Sequence, residues 1–206
     1  RIMPLDVTKH AEIETTCQEA LAHHDIDVLF NNAGYGAMAP LERFQEETIR
    51  TLFDTDVFGT MFVTQQFIPH FKKRKKGVIL TTTSLAAIIA LPRDCVYGAA
   101  KRAQQGMVES LYYELKPFGV QVKAIIPGGT KTNFQTPVND LTGYERVARN
   151  QRSWLLDGNP EFPDPGEAAR VVWSAVHDGR DRINYPSDSV CQKLYDQYQK
   201  RALRNL

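Results

Sequence analysis

Long apolar runs are missing from this sequence. The longest, Leu85 to Leu91, falls far short of the roughly 20 residues that a membrane-crossing helix requires. No charged-then-apolar leader opens the chain, so no segment is expected to span or target a membrane. Cysteine is scarce. Cys17, Cys95 and Cys191 are odd in number and far apart, which argues against a disulfide framework or a four-cysteine zinc site and points to a reducing, cytoplasmic setting. An excess of one charge is lacking too: 25 Lys and Arg against 24 Asp and Glu leave a formal net charge of +1. No overall field then favours nucleic acid or an anionic membrane, and a small molecule is the expected partner. The five histidines show no metal-ligand spacing, so no metal is expected.

The 206 residues fit one domain, of a size that buries roughly 70% of the surface its unfolded chain exposes. Periodicity reads the end of a strand in Arg1 to Val7. A helix follows over Ala11 to His23, with Ile13, Cys17, Ala20 and Leu21 on one face. Ile26 to Phe30 is a short strand ended by Asn31-Asn32-Ala33-Gly34. From Pro40 through Thr64 and beyond the pattern is helical, with Leu52, Phe53, Val57, Met61 and Phe67 in register. Gly77 to Thr83 and Val120 to Ile126 read as strands, Tyr97 to Leu115 as a helix, and Pro165 to Val176 as a helix opened by Asp164 and Pro165. This alternation implies an α/β fold with a doubly wound parallel sheet. Met107, Val108, Leu111 and Tyr112 would serve a core or an interface. The basic run Lys72 to Lys76 closes a helix, where the macrodipole favours cations, rather than marking a nucleic-acid patch. The long segment Thr132 to Pro163 carries Phe134, Tyr144, Trp154 to Leu156 and Phe162, and is expected to be a lid over a moderately apolar substrate.

Gly34-Tyr35-Gly36-Ala37-Met38-Ala39 imitates a dinucleotide-binding turn. The true turn opens a helix at once, so that free N–H groups meet the pyrophosphate, and Pro40 would fall inside that helix. Asp54 and Asp56 lie in a helical pattern, not at the end of a second strand where the ribose-binding acid belongs. No other glycine spacing in the chain supplies such a turn.

Chemistry is concentrated around Tyr97 and Lys101. Four residues apart on a helix, they project from one face, where a cation can favour tyrosinate. Bringing a phenol from its usual pKa near 10 to about 7 takes roughly 4 kcal/mol. Ser84 ends a strand, where side chains at the carboxyl edge of a parallel sheet face the ligand crevice, and Asn31 and Asn32 end the preceding strand in the same manner.

Taken together these residues resemble the short-chain dehydrogenase/reductase family, from Asp6 through Thr132 and more loosely to the C-terminus. The resemblance rests on five features in the family's order. These are Leu5-Asp6-Val7-Thr8, Asn32-Ala33-Gly34 after a strand, Ser84 thirteen residues before Tyr97, Tyr97-x-x-x-Lys101, and Pro127-Gly128 followed by Thr132. It implies a Rossmann-like fold and reversible hydride transfer between NAD or NADP and a carbonyl or secondary alcohol. By the same resemblance, Tyr97 is the general acid/base, Ser84 holds the substrate oxygen, and Lys101 lowers the tyrosine pKa and binds the nicotinamide ribose. Asp6, Asn32, Ala33 and Gly34 line the adenosine side, and Pro127, Gly128, Thr130 and Thr132 flank the nicotinamide. Helices holding Asp56 and Tyr97 commonly pack against a second subunit in that family, so a homodimer or homotetramer is implied.

The sequence departs from the family in two places. Asp56 stands where the family usually carries asparagine; on an apolar stripe its carboxylate must be paired or protonated, and Lys101 is the obvious partner. Asp56 is then expected to draw the ammonium toward itself, raise the tyrosine pKa and slow catalysis, or to do the amide's job of holding a water. The family's fold also begins with a strand, a Gly-rich turn, a helix and a second strand before the segment like Leu5 to Thr8, whereas four residues precede Leu5 here. With Arg1 in place of Met, N-terminal truncation is expected, with weak dinucleotide binding and an exposed sheet edge. Two rival readings remain: a non-catalytic, dinucleotide-sensing or scaffolding relative, which Asp56 would support, and an epimerase or dehydratase using the same Tyr and Lys, which the Asn-Ala-Gly and Pro-Gly segments disfavour.

Overall fold

A computed structural model of the chain describes residues 1–132, 134, 142–156 and 162–204. Four strands, β1 (Val28–Asn31), β2 (Gly77–Thr82), β3 (Val120–Ile126) and β4 (Asn184–Pro186), pair side by side in chain order, all parallel. Register is set by Val28 opposite Val78, Leu80 opposite Lys123 and Ala124 opposite Asn184. Eight helices connect or flank them among the described residues: α1 (His10–His23), α2 (Glu46–Phe53), α3 (Thr60–Arg74), α4 (Leu85–Ile88), α5 (Cys95–Leu115), α6 (Glu145–Leu156), α7 (Pro165–His177) and α8 (Ser189–Arg204). Parallel strands joined by helices must bury both faces of the sheet, which accounts for the runs of Val, Ile and Leu in β2 and β3.

The period-two alternation of the strands sorts those residues. Leu29, Ile79, Val122, Ala124 and Ile126 pack with Ile13 and Cys17 of α1, Val63, Phe67 and Phe71 of α3, and Val108 of α5. Leu80, Ile125 and Tyr185 face the other way, onto Val171, Val172, Ala175 and Val176 of α7. Met107, Leu111 and Tyr112 are half-buried against the first cluster, so their core role is the one visible here. At about 25 cal/mol per Å² of apolar surface, each fully buried Leu, Ile or Phe contributes roughly 2 kcal/mol.

Several sequence expectations are corrected. Arg1 to Val7 forms no strand: a strand needs a ladder partner, and this segment has none among the described residues; Met3, Leu5 and Val7 line the groove beside β1, and Val7 lies so close to Gly59 that a Cβ there would sit 2.7 Å from its carbonyl. The helix expected from Pro40 is broken. A 3-10 turn at Leu41–Arg43 precedes α2, and a π-helical turn at Asp54–Gly59 links α2 to α3. The wider turn shifts the helical phase, which leaves Leu52, Val57 and Phe67 buried but Met61 exposed. The strand read as Gly77 to Thr83 ends at Thr82. Two elements were not foreseen: the three-residue β4, too short for a periodicity signal, and α6, inside the segment expected to be a loop. Residues 133, 135–141 and 157–161 of the expected lid lie outside the described residues. No described helix is long and apolar enough to cross a membrane.

Candidate active site

The carboxyl ends of β1, β2 and β3 lie side by side because the strands are parallel and in register, and the residues that follow them share one rim. After β2 the chain is pinned to β3 by Thr83 N–H donating to Ile125 O and Leu85 N–H to Pro127 O, both at 2.8 Å. Ser84 then caps α4, its hydroxyl accepting from Ala86 N–H at 3.1 Å, which fixes the side chain at the rim. Helix α5 rises beside it and presents Tyr97, Lys101 and Gln104 at helical spacing.

The Lys101 ammonium is buried; it donates to Gln104 Oε1 at 2.9 Å and Thr82 O at 3.1 Å, and forms an ion pair with Asp56 Oδ2 at 3.0 Å. It also stands 5.6 Å from the centroid of the Tyr97 ring. Asp56 has no solvent exposure. Its second carboxylate oxygen accepts from Tyr35 N–H at 3.1 Å, and both oxygens would lie 3.1 Å from a Cβ at Gly34, so a larger residue there would crowd the carboxylate by a few tenths of an ångström. The π-helical turn frees the Asp56 carbonyl, which Gln104 Nε2 and Thr60 Oγ1 collect by donating to it at 2.5 and 2.7 Å. Burial pushes the Asp56 carboxyl up and the Lys101 amine down, and each charge partly counters the other's shift. A buried pair of this kind is sensitive to the loss of either member.

Burial also drives the Tyr97 phenol well above its ordinary value; the Ser84 hydroxyl favours the phenolate and opposes this, while the charges of Asp56 and Asp94 add to the rise. The chain's own groups thus keep Tyr97 protonated at neutral pH. Asp94, at the start of α5, is itself pushed up to about 7 by burial, against the pull of the Arg93 guanidinium.

Ser84, Tyr97 and Lys101 line one cavity of about 590 Å³. Asn32, Gly34, Pro127, Gly128, Thr130 and Thr132 line it as well, so most of the residues that the sequence marks are brought together. Apolar wall comes from Met38, Leu85, Leu91, Phe134 and Phe162, with the Phe134 ring 6.2 Å from that of Tyr97. Ala33 lines a neighbouring groove of about 370 Å³ beside β1, which meets the cavity at Asn32. Asp6 lines neither: its carboxylate accepts from Thr8 N–H and Thr8 Oγ1 at 2.9 and 2.7 Å and pairs with Lys9. Asp56 does not line the cavity either, and reaches it only through Lys101 and the Gly34 turn. The rim has room and donors for a nicotinamide group, because Thr130 Oγ1 is buried there without a hydrogen-bond partner among the described residues.

Two residues were missed in the sequence: Asp94 on the cavity wall and Gln104 behind it, against Lys101. Gln104 looks like an ordinary polar residue in a helix, yet its spacing of three from Lys101 is the signal that could have found it. Asp94 reads as a helix cap; it makes no side-chain cap bond.

Comparison with known proteins agrees with this architecture. Residues 1–142 match the family described as short chain dehydrogenase. An uncharacterised oxidoreductase of Schizosaccharomyces pombe is 33% identical over 192 residues, spanning 90% of this chain and 80% of that protein. A short-chain dehydrogenase from Streptomyces avermitilis superposes with a TM-score of 0.86 at 26% identity, covering 99% of this chain and 76% of that one. A short chain dehydrogenase from Burkholderia cenocepacia, solved in complex with NADP, gives a TM-score of 0.75 at 26% identity, covering 98% and 79%.

Proposed function

The chain belongs to the short chain dehydrogenase family, and from that premise we propose that it is an NAD(P)-dependent oxidoreductase interconverting a carbonyl compound and a secondary alcohol, with Tyr97 as general acid/base. The observation that carries this reading is the convergence of Ser84, Tyr97 and Lys101 on one largely apolar cavity at the carboxyl edge of the sheet.

When bound, the nicotinamide nucleotide supplies or takes up the hydride. Pro127, Gly128, Thr130 and Thr132 would hold its nicotinamide end, with Lys101 toward the ribose and Asn32, Ala33 and Gly34 on the adenosine side. Ser84 donates a hydrogen bond to the substrate oxygen and orients it toward Tyr97. In reduction the Tyr97 proton passes to that oxygen, and in oxidation the phenolate takes it back. Phe134, Phe162 and Leu91 exclude water from the exchange. Lys101 stabilises negative charge near the phenol, and Asp56 is a positioning residue that sets where the ammonium rests. Measuring product alcohol and oxidised nucleotide in equal amounts from a ketone panel tests the reading; products without net redox change would favour an epimerase or dehydratase instead.

The Lys101 ammonium has three partners inside the protein. That favours, as a second reading, a relative that binds dinucleotide without turning over, and nucleotide binding with no turnover across the panel would support it.

The charge at Asp56 has its own test. Because that carboxylate raises the Tyr97 pKa, Asp56→Asn is expected to move the acid limb of alcohol oxidation to lower pH. On that limb the variant is expected to oxidise alcohol faster than wild type at the same pH. An acid limb that stays in place would show that the carboxylate only does the work of an amide.

A further inference from the structure

Asp94 is 6% exposed, its carboxylate makes no helix-capping bond, and the Arg93 guanidinium is the cation whose field reaches it. It lines the cavity that holds Ser84 and Tyr97. A buried carboxylate normally accepts two or three hydrogen bonds or pairs with a cation, because desolvation without compensation is costly. An aspartate at the start of a helix normally meets that need by accepting from the second or third helical N–H. Asp94 does not, since its backbone, at φ −97° and ψ 20°, is outside the extended region that capping uses.

The turn before α5 explains this geometry. Arg93 adopts the left-handed conformation at φ 65°, its carbonyl accepts from Ala39 N–H at 3.1 Å, and Asp94 N–H donates back to Leu91 O at 3.3 Å. A left-handed non-glycine residue costs about 1–2 kcal/mol. The turn sets Asp94 at the start of α5 on the wall of the cavity that Met38, Leu91 and Phe134 also line. Three residues on, Tyr97 faces the same space, about 5 Å further along the helix axis.

Resting on the redox reading above, we propose that Asp94 is a specificity-determining residue that accepts a hydrogen bond from a donor substituent on an otherwise apolar ketone or alcohol. The substrate class is then an apolar carbonyl compound bearing a hydroxyl or amino group about one helical turn from its reacting oxygen. A donor-free ketone displaces water from the carboxylate and offers no hydrogen bond in return, whereas a donor-bearing one replaces that water. An amine keeps Asp94 ionised; a hydroxyl needs only an acceptor oxygen.

The test uses a bicyclic ketone, its hydroxyl derivative and its primary-amine derivative, with wild type, Asp94→Leu and Asp94→Asn in the full chain. Binding is read by calorimetry and turnover in parallel, so that affinity reports on Asp94 and net redox change reports on the reaction. Asp94→Leu is expected to weaken the hydroxyl and amino ligands by about 10- to 100-fold, and to strengthen the donor-free ketone by about 2- to 5-fold. Asp94→Asn, which keeps an acceptor without the charge, should retain most of the hydroxyl affinity and lose that for the amine. Equal changes for all three ligands, or none, would overturn the proposal. Donor-dependent binding without turnover would uphold Asp94 and overturn the redox reading alone.

Discussion

Replacing Tyr97 with phenylalanine is expected to lower turnover by about 10²- to 10⁴-fold with little change in KM, the range that a single general acid/base contributes. Phenylalanine keeps the ring beside Phe134 and the volume of the wall, so only the transferable proton is removed. The environment of the phenol adds a directional expectation. Burial and the charges of Asp56 and Asp94 raise its pKa, so the protonated form dominates at neutral pH. Reduction needs that form and should be near its maximum at neutral pH. Oxidation needs the phenolate and should climb as pH rises into the alkaline range. The Tyr97→Phe variant should lose both dependences together. Turnover within a few-fold of wild type would remove Tyr97 from the chemistry.

Lys101→Met is expected to destabilise the fold by about 3–5 kcal/mol, because it leaves Asp56 fully buried with no counter-charge. Gln104 and Thr82 lose a donor as well. The pH dependence follows from the direction of the Asp56 shift. Burial raises its pKa in the folded state above the unfolded value, and removing Lys101 takes away the largest opposing influence. A carboxyl with a raised folded pKa binds more protons folded than unfolded, so the variant's deficit shrinks as pH falls through the folded pKa and is greatest above it. Urea denaturation at acidic and neutral pH measures this. Adding Asp56→Asn to Lys101→Met should recover part of the loss, whereas additive losses would show that the two side chains are not coupled.

Much of the fold was legible because strong periodicity and its punctuation agree. Val120 to Ile126 is a strand with the expected bounds, and Asp164 caps α7 by accepting from Gly166 N–H as its place before Pro165 suggests. The turn after β1, despite its glycine spacing, opens no helix, as Pro40 dictates. What escaped the sequence has identifiable causes. A π-helical turn depends on tertiary capture of its freed carbonyl, here by Gln104 and Thr60, and leaves no local mark. In the site, the residue types and spacing of Tyr97, Lys101 and Ser84 marked them in the sequence, and all three line one cavity. Asp94 was not: an aspartate before a helix is ordinarily a cap, and only the left-handed Arg93 and the bond from Ala39 turn it away from that role. Asp6 shows the opposite case, a marked residue whose carboxylate serves a local turn with Thr8 and lines no cavity.

The central claim, that a proton from Tyr97 and a hydride meet at one substrate carbonyl in this cavity, is tested most directly by following the label. With saturating nucleotide deuterated at the nicotinamide C4 position and an apolar ketone, the product alcohol is expected to carry one deuterium at the carbinol carbon. The same product should form far more slowly with Tyr97→Phe. Alcohol lacking that deuterium, or labelled alcohol formed equally fast by the variant, would contradict the account.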